Sequence, residues 1–321
     1  MLGRIPTIVF CAFLFASGAL AAEDNADTPL MTAAYRGDVS AMREIIAQGA
    51  DVNATNRVGW TALHFAAGAT PIRDQVYRGS PEAARLLLEK GADPNAAGRL
   101  GHRPLMLAAM NGNLETAKLL LDHHADPNAR TTIGDSALFQ AVLRGKDEVV
   151  ALLVARGADP NGPPFVNGDT VLLAAVAQAA KANFREPERT ARGTAAELAK
   201  RRRIVHLLLE GKADVATTNR AGHTALALAA SNNQIALVRD LLAHRADANA
   251  RDRAFGGATP LMLAVRRGNP AMVKALLAAG ADPQARDDRG TTALDLARTS
   301  GDPTIADTLA PANNENRIHR P

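Results

Sequence analysis

Residues 61–66 read Thr61-Ala62-Leu63-His64-Phe65-Ala66. A threonine hydroxyl can accept a hydrogen bond from a backbone N–H of a first helical turn, so Thr61 is a helix N-cap and Leu63 opens the buried face. The phrase starts a helix, and it recurs as Thr28-Pro29-Leu30, Arg103-Pro104-Leu105, Ser136-Ala137-Leu138, Thr170-Val171-Leu172, Thr224-Ala225-Leu226, Thr259-Pro260-Leu261 and Thr292-Ala293-Leu294. Proline fits the first helical position, where its missing N–H has no intrahelical role. Successive leucines stand 33, 42, 33, 34, 54, 35 and 33 residues apart.

A second marker keeps the same step: Ala-Asp-x-Asn or a near relative places Asp51, Asp93, Asp126, Asp159, Asp214, Asp247 and Asp282. Between the two markers the chain carries two apolar runs. The first is rich in small residues, as in Leu107-Ala108-Ala109, which lets neighbouring helices approach closely. Gly37, Gly112, Gly145 and Gly268 end it. The second, such as Val149-Val150-Ala151-Leu152-Leu153, has the spacing of a helix buried on one side and is closed by Gly49, Gly91, Gly157 or Gly280. His124, Lys212 and Arg245 stand where the other repeats put that glycine, at a cost on the order of 1 kcal/mol each if left-handed. Asp and Asn in the marker hold a tight turn by bonding nearby backbone. Each repeat is therefore turn, helix, turn, helix.

With its period near 33 and a Thr-Pro-Leu-His-x-Ala phrase matched most closely at Thr61 to Ala66, the sequence resembles the ankyrin-repeat family from about residue 28 to residue 309. The resemblance implies an all-α solenoid of about eight helix-turn-helix repeats with short hairpin-like fingers along one edge and a concave groove beside the first helices. It also implies an interaction module without chemistry of its own. The first and last repeats are the expected caps, because the end faces of a solenoid must be polar.

Residues 1–21 show Arg4, an apolar stretch from Ile8 to Ala16 and the small residues Ala19-Leu20-Ala21, the order of a secretory signal peptide cleaved after Ala21. The stretch is shorter than the roughly 20 residues of a membrane-spanning helix, and bulky Phe10 ahead of Cys11 disfavours lipid attachment. The expected layout is a signal peptide over 1–21, the solenoid over 22–310 and a disordered tail over 311–321. Cys11 is the single cysteine, so the mature chain has no disulfide, thiolate nucleophile or cysteine-bound metal. Its stability must come from the apolar core, consistent with 47% hydrophobic residues in 321.

The long spacings imply two insertions between first and second helices, about 68–80 and about 178–203. In the second, Lys181, Arg185, Arg189, Arg192, Lys200, Arg201, Arg202 and Arg203 face three acids, Glu186, Glu188 and Glu197. Its alanines favour lengthened helices with a loop around Pro187 to Gly193. The basic residues Arg201, Arg202 and Arg203 form a candidate docking insertion for an acidic partner or, weakly, an anionic membrane surface. A solvated helical extension is the plainer reading.

No catalytic residues, cofactor or metal site are expected. His123, His124 and Asp126 lack ligand spacing, and no Gly-x-Ser-x-Gly or phosphate-binding glycine loop sits in a strand-turn-helix frame. Without Arg4 the balance is 36 Lys and Arg against 33 Asp and Glu, too even for a nucleic-acid binder, and exposed aromatics are too few to stack on bases. The residues that the stack does not require lie on the fingers: Arg57, Trp60, Arg99, Leu100, Ile133, Phe165, Arg220, Arg253, Phe255 and Arg289. Arginine and aromatics are common binding anchors. The expected function is an exported, non-enzymatic scaffold that binds another protein, one with acidic character, through the concave face and finger tips, with no small-molecule substrate. The periplasm is the expected compartment and the medium the second; the alternative function is a secreted effector acting on a host protein.

Overall fold

The computed structural model describes residues 27–69, 79–162, 168–182 and 191–310, without the side chains of 181, 182 and 191–194. The expected signal peptide, most of the first insertion and the tail lie outside the described residues. The chain divides into two compact units, residues 1–126 and 127–321, each built from helix pairs.

The first unit contains α1 (Pro29–Arg36), α2 (Val39–Ala47), α3 (Ala62–Ala66), α4 (Pro81–Glu89), α5 (Pro104–Asn111) and α6 (Leu114–Asp122). First helices pack in series, α1 on α3 on α5, and second helices α2 on α4 on α6. The second unit contains α7 (Ala137–Arg144), α8 (Asp147–Ala155), α9 (Val171–Ala182), α10 (Ala191–Glu210), α11 (Ala225–Ser231), α12 (Ile235–Ala243), α13 (Pro260–Arg266), α14 (Pro270–Ala278), α15 (Ala293–Ser300) and α16 (Pro303–Leu309). There α7, α9, α11, α13 and α15 form one layer, and α8, α10, α12, α14 and α16 the other.

The recurring phrase begins each first helix as its chemistry requires. Thr28, Ser136, Thr224, Thr259 and Thr292 accept from the backbone N–H three residues on. Leu30, Leu63, Leu105, Leu138, Leu172, Leu226 and Leu261 are buried; Leu294, in the last helix pair, is half-buried because no further repeat covers it. Ala66, Ala67, Ala108 and Ala109 are fully buried, where a larger side chain would push the helices apart. His124, Lys212 and Arg245 do adopt the left-handed conformation, at φ 66°, 65° and 66°.

The Asp and Asn of the second marker divide their work. Asp51, Asp93, Asp159 and Asp247 accept from the backbone N–H two residues on and hold their own turn. The asparagine instead reaches the next repeat. Asn53 donates to the Gly91 carbonyl at 3.0 Å and accepts from the Asp93 N–H at 2.8 Å. Asn95 does the same with His124 and Asp126, Asn128 with Gly157 and Asp159, Asn161 with Lys212 and Asp214, and Asn249 with Gly280 and Asp282. Ala216 occupies the asparagine position of the remaining interior marker and has no amide to bridge Arg245 and Asp247.

The second insertion lengthens both helices of its pair, α9 to 12 residues and α10 to 20, against 9 or fewer elsewhere among the described residues. The expected loop around 187–193 ends earlier than anticipated, since α10 begins at Ala191 and takes in Arg192 and Gly193. The intervening residues 183–190 lie outside the described ones.

Candidate partner-binding surface

Each described finger is a tight turn spanned by a backbone hydrogen bond from its first residue. In the first unit Asn56 N–H donates to the Trp60 carbonyl at 3.0 Å and Gly98 N–H to that of His102 at 2.9 Å. In the second, Thr131 closes on Asp135, Asn219 on His223 and Asp287 on Thr291, while Asp252 closes on Ala258. The 252–258 finger is thus two residues longer than the other described fingers, which accounts for the spacing of 35 between Leu226 and Leu261. The extra length forms a single 3-10 turn, Arg253–Phe255, ended by Gly256 at φ 67°.

Within the first unit, Trp60 is half-buried rather than projecting. Asn56 Oδ1 accepts from its N–H at 2.9 Å, and its ring lies parallel to His64 at 6.2 Å and edge-on to Phe65 at 5.8 Å. A Cβ on Gly98 would come within 2.8 Å of the indole, so Trp60 also packs on the following finger. The sequence reading offered it as a free binding anchor; the structure gives it a place in the packing between two fingers. Arg57, Arg99 and Leu100 are exposed, Leu100 to 53%. Beneath them His64 is buried, and that burial lowers its pKa to about 4, against the raising effect of its bond to the His102 carbonyl. Burial likewise lowers the pKa of His102.

Within the second unit, Ile133 is 42% exposed and Arg220, Arg253 and Arg289 are exposed. Phe165 lies outside the described residues. Phe255 is half-buried, its ring 4.9 Å from that of His223. The finger that carries it is fixed from below by Asp252, whose fully buried carboxylate accepts from the N–H of Phe255 at 3.1 Å and of Thr224 at 3.2 Å and lies 3.2 Å from His223 Nδ1. The structure brings Phe255 and Arg289 together on a cleft of about 410 Å³ that is also lined by Gly256, Arg266, Asp287 and Asp288. Sequence reasoning missed Arg266 and the two aspartates because Arg266 ends a helix and Asp287 and Asp288 read as turn formers. Burial pushes the Asp287 carboxyl up, but hydrogen bonds from Thr291 and Arg289 and the charge of Arg266 outweigh it and hold its pKa below the usual range.

The basic insertion does not present its three arginines as an open patch. Arg201, with a side chain only 14% exposed, donates to the carbonyls of Val142 and Leu143 at 3.1 and 3.2 Å and to Glu197 at 2.7 Å. It satisfies the end of α7, where the last carbonyls of a helix lack intrahelical donors. Arg203 pairs with Asp147 at the start of α8 at 2.8 Å. Arg202 is half-buried and its Nε is buried without a hydrogen-bond partner. Among the described residues, no group of three His, Cys, Asp or Glu side chains could hold a metal ion, and no helix is long and apolar enough to cross a membrane.

A family model described as ankyrin repeats in three copies matches residues 9–97, 72–164, 166–252, 193–287 and 252–319. No curated protein matches the chain in sequence. Among solved structures, the ankyrin repeat domain of Bcl-3, described as a unique member of the IkappaB protein family, is similar at 27% identity and a TM-score of 0.60, covering 79% of this chain and 100% of that one. Ankyrin repeats generally serve as protein–protein interaction scaffolds and are not typically enzymes. From its repeat phrases, its helix-pair layers and the family matches along nearly its whole length, this chain is a member of the ankyrin-repeat family.

Proposed function

We propose that this protein is an exported interaction scaffold that captures another protein of acidic character along its finger edge. The observation that carries the reading is the composition of the fingers. Arg57, Arg99, Arg220, Arg253 and Arg289 are exposed on the finger turns, which close through backbone bonds and through other side chains, with Leu100 and Ile133 exposed on the fingers as well. Exposed guanidinium groups beside apolar side chains suit a partner that offers carboxylates next to apolar contacts. The export half of the proposal rests on Arg4, the apolar stretch from Ile8 to Ala16 and the small residues up to Ala21. The periplasm is the proposed destination.

The test is crosslinking in intact cells that express the full-length chain, followed by fractionation and mass spectrometry of what is captured. The expected result is a mature N-terminus at Ala22 in the envelope fraction and one dominant exported partner, lost when Arg57, Arg99 and Arg253 are changed together to Glu. A chain that keeps residues 1–21 inside the cell would overturn export. Capture unchanged by the three reversals would overturn the finger edge as the working surface.

A further inference from the structure

We infer that the cleft between the 252–258 and 287–291 fingers is a docking site for an extended acidic peptide segment that carries an aromatic or aliphatic side chain next to a carboxylate. The inference deepens the finger-edge reading and rests on it. Three features of the second unit point to this occupant.

The first is that both acids lining the cleft, Asp287 and Asp288, are already engaged within the fold, while Arg289 on the same cleft is not. Asp288 takes Arg251 Nη2 at 2.7 Å, and its N–H donates to the Gly256 carbonyl at 2.9 Å, tying one finger to the next. Asp287 accepts from the backbone N–H of Arg289 at 3.0 Å and of Thr291 at 2.9 Å on one oxygen, and from Arg266 at 3.4 Å on the other. Arg289 forms no ion pair among the described residues and is exposed, whereas Arg253 lies along Gly222 of the preceding finger and does not line the cleft. Arg266 also lines the cleft, and its contact with Asp287 uses one of its five N–H donors. A carboxylate entering here meets guanidinium donors and displaces no existing acid.

The second is the ring of Phe255. The ring is half-buried 4.9 Å from that of His223, and Phe255 is among the residues that line the cleft. The ring supplies apolar area directly beside the arginines. A volume of about 410 Å³ is enough for a pair of side chains from an extended segment.

The third is rigidity. The two extra residues of this finger are not needed to close the turn, since the 219–223 and 287–291 fingers of the same unit close without them. They are nevertheless fixed by the buried Asp252 carboxylate, which holds the N–H of Phe255 and of Thr224 and contacts His223. The site is in place before a partner arrives, so little ordering entropy opposes binding.

The experiment is fluorescence anisotropy on the full-length mature chain, with a fluorescein-labelled peptide of about a dozen residues that has a central Phe-Glu pair flanked by Asp. Saturable binding is expected, weakened roughly tenfold or more by Arg289→Glu and several-fold by Phe255→Ala, with Arg57→Glu in the other unit changing it less than twofold. Unchanged far-UV circular dichroism of the variants, and partial recovery with Arg289→Lys, would separate loss of the site from loss of the fold. The inference is overturned if no saturable binding is seen. It is also overturned if Arg57→Glu weakens binding as much as Arg289→Glu, or if an oligonucleotide of matched charge competes as well as unlabelled peptide. Failure of the peptide while the crosslinked partner is still captured refutes this cleft alone, whereas loss of every captured partner refutes the finger-edge reading itself.

Discussion

His64 Nε2 lies 3.1 Å from the carbonyl oxygen of His102 in the next repeat, while its Nδ1 accepts from the Thr61 N–H at 3.0 Å. An Nδ1 that accepts and an Nε2 that donates define the neutral ring with its proton on Nε2. Protonation of Nδ1 would set two donors against each other at Thr61.

Acid should therefore weaken the first unit. The folded pKa of His64 is about 4 against an ordinary 6.5, so between those values the unfolded chain binds the extra proton and the folded one does not. The contribution is fully present above pH 6.5, falls as pH drops and is gone below about pH 4, on the order of 3 kcal/mol in all. Urea midpoints measured at pH 7.5 and pH 4.5 should differ in that direction. The difference should shrink in His64→Gln, even though that variant starts less stable.

The asparagine bridges make a second set of expectations. Asn128→Ala removes one bond to Gly157 and one to Asp159, both exposed, and should lower stability by about 1 kcal/mol. Ala216→Asn should raise it by a similar amount, because Ala216 sits in the same turn as the bridging asparagines, its N–H donating to Asp214 at 2.9 Å, and Arg245 has the left-handed backbone of the receiving residues. Equilibrium urea unfolding of the two single variants reads both.

Arg245 and Lys212 hold φ near 65°, where a Cβ is disfavoured. Glycine at either position should stabilise the chain by about 0.5 to 1 kcal/mol, the relief of strain being partly offset by greater freedom of the unfolded chain. Thermal unfolding of Arg245→Gly and Lys212→Gly should show higher midpoints, and a fall in both would mean that the side chains contribute more than the strain removes.

Arg201→Ala should destabilise the second unit by about 2 kcal/mol, because it removes the side-chain donor from the Leu143 carbonyl and one of two donors from that of Val142, and leaves Glu197 without its cation. Hydrogen exchange would locate the effect, with faster exchange in the last turn of α7. Arg203→Ala, which breaks a half-exposed pair with Asp147, should cost less than half as much.

The repeat phrase made the helix pairs legible because capping, burial and small-residue packing act over three or four residues, within one phrase. The left-handed positions at His124, Lys212 and Arg245 were readable in the same way, by register with glycines. The asparagine bridges were not, since Asn161 meets Lys212 and Asp214 at a separation of more than 50 residues that no local pattern encodes. Arg201 looked like one of a solvated trio because its carbonyl partners stand 58 and 59 residues away. Of the candidate surface, Phe255 and Arg289 were found as residues the stack does not need. Their meeting in one cleft depended on the two-residue excess of a finger, visible in the sequence only as a spacing of 35 where the repeats without an insertion show 33 or 34.

The asparagine bridge has a direction: a repeat that carries the asparagine offers its amide forward, and the next repeat receives it on a backbone carbonyl and N–H. The receiving half is made of main chain and is kept even where His124 or Lys212 replaces the usual glycine, while the offering half hangs on one codon. A duplicated or transplanted gene segment can therefore join behind almost any neighbour, but it links to the segment after it only if it brings its own asparagine. The repeat that carries Ala216 is one that can follow others yet leads none by this bond, which marks the place where the gene could most readily have been lengthened or recombined without breaking an existing link.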